Sequence, residues 1–269
     1  MAINKFQNIV ENVDKLDDCT EAKKAVRELL PEGTAIVQLT DYIEVGIQDS
    51  QDYQGKPRPP SAKAYIGVHI IGGVGKDLKG IRTPYCQFGE PVPLMGYYPI
   101  DISLSEKAKY FNIFKAFNYT GKARHFVELL GTIGLLKINV VKKDDGKCYN
   151  DYDLRTVTEP VKDVTEGTLH EAGKGGVLDT PEEDYKCFVW ALPDKAQWDS
   201  IEIEGTYEYE DKGVKVTKSK NRYQEAIQNA HNFMDSPAEC LLTGVSALPI
   251  PTGTDANIEV PDLDDDLPL

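Results

Sequence analysis

Positive charge is the scarce property of this sequence. It has 30 lysines and arginines against 44 aspartates and glutamates, which gives a formal net charge of −14. Six of the acids, and no lysine or arginine, lie in residues 255–269, so that residues 1–254 carry −8. This charge argues against a nucleic-acid partner held by an overall positive field. Such a partner needs lysines and arginines that are locally concentrated.

Cysteine and histidine are too few and too scattered for a disulfide framework or a metal site. The four histidines lack metal-ligand spacing. The cysteines are odd in number, widely spaced and without a C-x-x-C pair, which indicates reduced, structural thiols. They are Cys19, Cys86, Cys148, Cys187 and Cys240. We therefore predict no metal, no cofactor and a cytoplasmic location.

Long apolar runs are also absent. The start of the chain, "MAINKFQNIVENVDKL", is amphipathic and carries acids, and it contains no apolar run of signal-peptide or membrane-span length. We expect the protein to stay in the cytosol and to have no membrane partner.

Catalytic signatures are missing or incomplete. There is no G-x-S-x-G elbow and no cysteine-histidine signature. The stretch "IIGGVGKD" fails as a phosphate loop, because Ile70 replaces the first glycine and Asp77 replaces the hydroxyl residue. In "EEDYK", Asp184 and Lys186 could form part of a metal-dependent nuclease site, although such pairs are common on surfaces. We predict a protein that is not an enzyme, with a nuclease as an alternative.

The first part of the chain changes from helical to strand periodicity. Residues 1–33 carry apolar side chains at helical spacing and predict a helical N-terminal extension. From Thr34 the period becomes two, which indicates a first strand. Residues 64–71, "AYIGVHII", predict a second strand, and residues 97–104, "YYPIDISL", a third.

A helix and a further pair of strands follow. Residues 105–117, "SEKAKYFNIFKAF", have helical spacing with Ser105 as a candidate cap, and "GKARHFVELLG" predicts a second helical stretch. The sequence from Gly134 predicts two strands joined by an Asp-Gly turn at Asp145 and Gly146.

Three strands, a helix and two strands match an OB-fold, a five-stranded Greek-key barrel, although small mixed sheets of other topology could give the same pattern. We predict a mainly β fold with added helices, in which residues 34–160 form an OB-fold-like core. Residues 161–247 are expected to be an extension packed on the core, with a helix in "SKNRYQEAIQNAHNF" that ends at Ser236 and Pro237. Residues 248–269 predict a disordered acidic tail.

Lysines and arginines cluster in two places. Residues 105–126 carry five of them against one glutamate, interleaved with aromatic residues, and further ones lie in the loops on either side of the second strand. Proteins bind single-stranded nucleic acid through lysines and arginines that contact the phosphates and through aromatic rings that stack on the bases. The alternatives are that the aromatic rings are core residues and that the lysines and arginines only form a solvent-exposed surface. The candidate DNA-binding residues are Arg58, Lys63, Tyr65, Lys76, Lys79, Arg82, Lys107, Lys109, Tyr110, Lys122 and Arg124.

The chain ends in "DDDLPL", which resembles the carboxy-terminal tip of bacterial and phage single-stranded DNA-binding proteins. The resemblance implies a docking peptide for replication and repair proteins that also competes with DNA for the basic groove. The size of the chain is closer to a phage-encoded version, which would act in the host cytoplasm. The bacterial pattern ends in phenylalanine, so Leu269 puts an aromatic-shaped partner pocket in doubt. The matching positions are Asp264, Asp265, Asp266, Leu267, Pro268 and Leu269.

Together these features predict a protein that coats single-stranded DNA with low sequence specificity and recruits replication or recombination proteins through its tail. A metal-dependent nuclease and an acidic adaptor protein without a nucleic-acid role remain the alternatives.

Overall fold

The structure is a computed structural model that describes most of the chain between residues 29 and 244. The described ranges are 29–52, 55–75, 86–87, 90–91, 94–95, 98–144, 146, 148–160, 182–211 and 214–244. The predicted helices before residue 29, the loop at 161–181 and the acidic tail lie outside these ranges. Within them, no helix is both long enough and apolar enough to cross a membrane.

Strands dominate the described part, so the predicted mainly β class is confirmed. The strands are β1 (Gly33–Gln48), β2 (Ser61–Gly75), β3 (Cys86–Gln87), β4 (Glu90–Pro91), β5 (Leu94–Met95), β6 (Ile100–Asp101), β7 (Ile133–Lys142), β8 (Cys148–Tyr152), β9 (Lys186–Phe188), β10 (Thr206–Asp211) and β11 (Val214–Ser219). The α-helices are α1 (Lys109–Phe117), α2 (Lys195–Ser200), α3 (Arg222–Gln228) and α4 (Pro237–Thr243). Single 3₁₀ turns lie at Phe126–Leu129, Leu154–Thr156 and Glu182–Asp184.

The main sheet is a strongly curled antiparallel half-barrel of five strands in the order β5-β2-β1-β7-β8. In addition, β6 pairs with β2 and β9 pairs in parallel with β1. The long β1–β2 pair carries several register shifts, one of them between Leu39 and Asp41. Such bulges bend a strand and increase its twist, which is how two strands of this length can curl.

The bulge also explains why β1 has a core on each of its faces. Val37, Leu39 and Tyr42 belong to the inner core, whereas Ile43 and Val45 belong to the outer one. One extra residue changes the face to which the alternating side chains point. The odd-numbered side chains therefore face the inner core before the bulge and the outer core after it.

Helix α1 fills the concave side of the half-barrel. Its buried residues Tyr110, Ile113 and Phe117 follow helical spacing and pack with Phe126 of the next 3₁₀ turn. Residues 186–203 and 222–241 cover the convex side, where α2 and α3 bury the side chains of a second cluster. These include Trp198, Ile201, Tyr223 and Ile227.

The predicted order of three strands, a helix and two strands matches β1, β2, β6, α1, β7 and β8. The short strands β3, β4 and β5 were not predicted, and several boundaries were wrong. The third predicted strand is reduced to Ile100–Asp101, and the second helical stretch to one 3₁₀ turn. Helix α1 begins after Ala108, so Ser105 is not its cap. Ser236 and Pro237 do not stop a helix; they start α4, because the Ser236 hydroxyl accepts from the amide of Glu239 and proline suits the first helical turn.

Candidate nucleic-acid interface

An open groove of about 930 Å³ lies where the end of β1 meets the start of β2 and of α1. Its walls come from the β1–β2 loop, from β2, from residues 98–101 around β6, from residues 103–109 before and at the start of α1, and from Ala226 of α3. We call this feature the groove.

The groove brings together five of the eleven residues that were predicted to bind DNA. They are Arg58, Lys63, Tyr65, Lys107 and Lys109. The reason is the pairing of β6 with β2, in which Asp101 lies opposite Lys63 and Ile100 opposite Ala64. This pairing brings the chain that leads into α1 alongside β2, although the two segments are distant in sequence.

Asp101 organises the positive charges of the groove. Its carboxylate accepts from the Ser61 hydroxyl at 2.6 Å, and lies 2.9 Å from Lys63 Nζ and 3.5 Å from Arg58 Nη2. Partial burial raises the pKa of Asp101, but hydrogen bonds from Ser61 and Lys63 and the charges of Lys63 and Arg58 outweigh this and hold it below its ordinary value of 3.8. The carboxylate is therefore charged at neutral pH and pairs with two of the candidate DNA-binding cations.

The electrostatic balance of the groove is only slightly positive. Its four lysine and arginine side chains face the carboxylates of Asp49, Asp101 and Glu106. Asp49 lies 2.8 Å from His231 Nε2, and Lys63 is buried. Lys107 and Lys109 near the start of α1 are exposed, as is Arg58, which lies 3.5 Å from Asp101.

Tyr98 is a groove residue that the sequence analysis missed. Its side chain is 61% exposed, the most exposed aromatic side chain among the described residues. In the sequence, Tyr98 lies within "YYPIDISL", which was predicted to be a strand. It was therefore interpreted as a strand residue and not as a binding residue. In the structure it lies just before β6 and presents ring surface to the groove.

Tertiary packing buries two of the aromatic residues that were predicted to contact DNA. Tyr65 is 8% exposed, and its ring meets that of Tyr223 edge-on at 5.2 Å. Tyr110 is 5% exposed, its hydroxyl shares a hydrogen bond with that of Tyr42 at 2.9 Å, and its ring lies 4.9 Å from Phe126. Tyr65 forms part of the groove wall, and Tyr110 belongs to the core.

The remaining candidate residues are not in the groove. Lys122 lines a separate cavity of about 210 Å³ beside Tyr119 and Glu128. Arg124 is exposed near the same 3₁₀ turn, where its backbone amide donates to Glu128 at 3.0 Å. Lys76, Lys79 and Arg82, and the six tail positions from Asp264 to Leu269, lie outside the described residues.

A second cavity of about 300 Å³ adjoins the groove. It shares Tyr65, Tyr98, Ile100 and Lys109 with the groove and extends to β8, where residues 150–152 line it. The two spaces therefore share part of their walls.

The residues considered for a nuclease site lie in a different place, on the convex side. Lys186 is the register partner of Asp41 in the β1–β9 pair, and its Nζ donates to the Ser200 carbonyl at 3.0 Å. Asp41 is fully buried, and burial raises its pKa to about 6. Among the described residues, no three histidine, cysteine or acidic side chains are arranged to hold a metal ion.

Comparisons with known protein families, with curated proteins and with solved structures found no match for this chain. We therefore infer the function from the geometry of the groove and from the sequence.

Proposed function

We propose that this chain is a non-enzymatic protein that coats single-stranded DNA with low sequence specificity during DNA replication or recombination. The observation that carries the proposal is the convergence of Arg58, Lys63, Lys107 and Lys109 on one groove of a chain whose net charge is −14. In an acidic protein, such a local concentration is the place where a polyanion can bind.

The groove also offers the second kind of contact that a single strand needs. Tyr98 exposes a ring beside Lys107 and Lys109 along the groove, and stacking on a ring tolerates any base. Phosphate contacts from the lysines are equally independent of sequence. This combination supports coating in preference to recognition of a particular site.

The position of the groove on the half-barrel supports an OB-fold. We propose that β1, β2, the short strands around β6, β7 and β8 are its five strands, with α1 between the third and the fourth. OB-folds bind oligonucleotides over strands two and three and the loop between strands one and two. The walls of the groove come from the corresponding segments, namely the β1–β2 loop with Arg58, β2 with Lys63, and β6.

The acidic end of the chain completes the proposal. We propose that residues 264–269 dock on replication or recombination proteins, with the aspartates steering toward a basic pocket and Leu269 filling an apolar one. When no strand is bound, the same acids compete for the groove.

Fluorescence anisotropy of a labelled thirty-nucleotide oligomer tests the proposal directly. We expect binding whose affinity falls steeply as salt rises, because bound phosphates release counterions. A chain truncated before residue 260 is expected to bind the oligomer as tightly or more tightly, and to lose recruitment of its partners. Looser binding by the truncated protein would contradict the role proposed for the tail.

The two alternatives make different predictions in the same assay. A nuclease working through Asp184 and Lys186 would shorten the oligomer in magnesium or manganese, whereas a coating protein leaves it intact. An acidic adaptor without a nucleic-acid role would give no anisotropy change at low salt.

A further inference from the structure

The hairpin of β10 and β11 stands apart from both cores. Six cross-strand pairs join its strands, from Thr206 with Ser219 to Asp211 with Val214, and no other described strand pairs with it. Most of its described side chains are exposed. A two-stranded ribbon is only marginally stable by itself in water. A hairpin of this kind, with exposed aromatic side chains, is suited to gaining contacts from a ligand.

One face of the hairpin combines tyrosine rings with a lysine. Directly opposed residues point to the same face, so Tyr207, Tyr209, Val216 and Lys218 share one side. Tyr207 is 47% exposed and Tyr209 36%, and their ring centroids are 6.0 Å apart. The Lys218 Nζ lies 5.4 Å from the centre of the Tyr209 ring.

The charges of the hairpin favour a nucleic acid as the occupant of this face. On strand β11, Lys218 points to this face, whereas Lys215 points to the opposite one; Lys220 follows the strand directly. Glu208 points to the opposite face, because it alternates with the two tyrosines. Neighbouring rings with a lysine beside them match the two components of a single strand, its bases and its phosphates.

The base of the hairpin is fixed to a wall of the groove. The Lys220 amide donates to the Gly205 carbonyl at 3.0 Å, which closes the hairpin, and α3 begins two residues later. In α3, the Tyr223 ring packs on Tyr65, while Ala226 lines the groove directly. The base of the hairpin and the wall of the groove are therefore joined through α3.

We propose that Tyr207, Tyr209 and Lys218 form a second contact site for single-stranded nucleic acid, which lengthens the segment that one molecule covers. Bases stack on the two rings, and Lys218 neutralises an adjoining phosphate. This inference rests on the proposed function, because the hairpin site extends the strand path that begins in the groove.

Oligothymidylates of increasing length, titrated against the full chain and the double variant Tyr207→Ala/Tyr209→Ala, test the inference. Oligothymidylates that are just long enough to fill the groove should bind the full chain and the variant with equal affinity. For longer oligomers we expect the variant to bind at least about fivefold more weakly for each stack lost, and to cover fewer nucleotides per molecule. Tyr207→Phe/Tyr209→Phe keeps both rings and should behave as the unchanged protein.

Tyr149→Ala provides a matched control. Tyr149 is 40% exposed, with Lys143 Nζ 5.2 Å from its ring centre, but it lies on β8, away from the hairpin. Equal binding of long oligomers by the unchanged protein and the Tyr207/Tyr209 alanine variant overturns the hairpin site and leaves the groove intact. If the unchanged protein binds no oligomer of any length, the proposed function fails and the inference fails with it.

Discussion

Lys63 and Asp101 face each other across the β2–β6 pair, with the lysine Nζ 2.9 Å from a carboxylate oxygen. Because Arg58 also lies within 3.5 Å of this carboxylate, a single acid engages two of the four cations of the groove. A phosphate that enters the groove must compete with Asp101 for both of them.

Replacing this acid should therefore strengthen DNA binding. For Asp101→Asn we expect tighter binding at low salt and a salt dependence steeper by up to about 1.4 in log–log slope, since two more cations become available to phosphate. Anisotropy titrations at several salt concentrations measure both quantities. Asp199→Asn removes an acid from the exposed Lys195–Asp199 pair outside the groove and should change neither. Weaker binding by Asp101→Asn would show that the acid supports the site.

The lysines at the start of α1 should carry most of the accessible charge. The double variant Lys107→Ala/Lys109→Ala is expected to weaken binding and to reduce the log–log salt slope by about 1.4. The control Lys122→Ala/Arg124→Ala removes the same charge outside the groove and should have a much smaller effect. If both double variants lose affinity equally, the strand does not follow the groove.

Tyr98 is expected to stack on a base. Tyr98→Ala should cost about 1 to 3 kcal/mol of binding free energy, and Tyr98→Phe should cost little, because the ring and not the hydroxyl makes the contact. The two variants can be compared in the same titration, with thermal unfolding as a check that both are folded. A full loss in Tyr98→Phe would mean that the hydroxyl matters and that stacking does not.

Sequence patterns predicted β1, β2, β7 and β8 of the half-barrel, because local periodicity determines them, but did not predict the two-residue β5. Alternation marked β1 and β2, and the Asp-Gly turn at residues 145–146 marked the β7–β8 hairpin. The strand at residues 97–104 shrank to Ile100–Asp101, since its length depends on a partner strand that is remote in sequence. Ser236 and Pro237 were ambiguous for a different reason, because the same residues can end one helix or begin the next.

The density of lysines and arginines in the sequence identified Lys107 and Lys109 as candidate binding residues. It could not show which of the nearby aromatic side chains are exposed and which are buried. Tyr110 is as close to lysines in sequence as any surface tyrosine, and only the packing of α1 against Phe126 shows that it is buried. Likewise, the pairing of Asp101 with Ser61 and Lys63 joins residues about forty positions apart, and no periodicity reports such a contact.

Asp41 should make the stability of the fold depend on pH. Its Oδ2 accepts from the Thr40 hydroxyl at 2.5 Å, while Oδ1 has no hydrogen-bond partner among the described residues. Burial raises the pKa of Asp41 from 3.8 to about 6, so the folded state binds a proton more tightly than the unfolded state. Stability is therefore highest below pH 4 as far as this group is concerned, and decreases as the pH rises toward and through 6.

The expected size of this effect is about 3 kcal/mol between pH 4 and pH 7, from a pKa shift of about two units. Asp41→Asn cannot ionise and should remove this decrease, so that the variant gains stability relative to the unchanged protein as the pH rises. Urea unfolding at a series of pH values measures the difference. Asp144→Asn, at an exposed position, is the control. A constant difference between Asp41→Asn and the unchanged protein across this range would show that Asp41 does not titrate there.

Gly46 lets the end of β1 approach the layer that covers the convex face. Its φ is +71°, and a Cβ at this position would lie 2.5 Å from the Trp190 ring and 2.8 Å from Ala230 Cβ. Real Cβ atoms do not come so close, so Gly46→Ala must displace Trp190 or the strand as well as strain the backbone. Gly55 has nearly the same φ, +75°, but nothing within 4 Å of its Cβ position.

The comparison of the two glycines separates steric contact from backbone strain. Gly55→Ala should lose about 1 kcal/mol of unfolding free energy, the usual cost of a left-handed conformation. Gly46→Ala should lose this amount and about 1 to 3 kcal/mol more for overpacking. Urea unfolding followed by tryptophan fluorescence suits the measurement, because Trp190 itself reports the displacement. Equal losses in the two variants would mean that Trp190 does not pack on β1, and that residues 186–203 and 222–241 cover the convex face less closely than the structure has them.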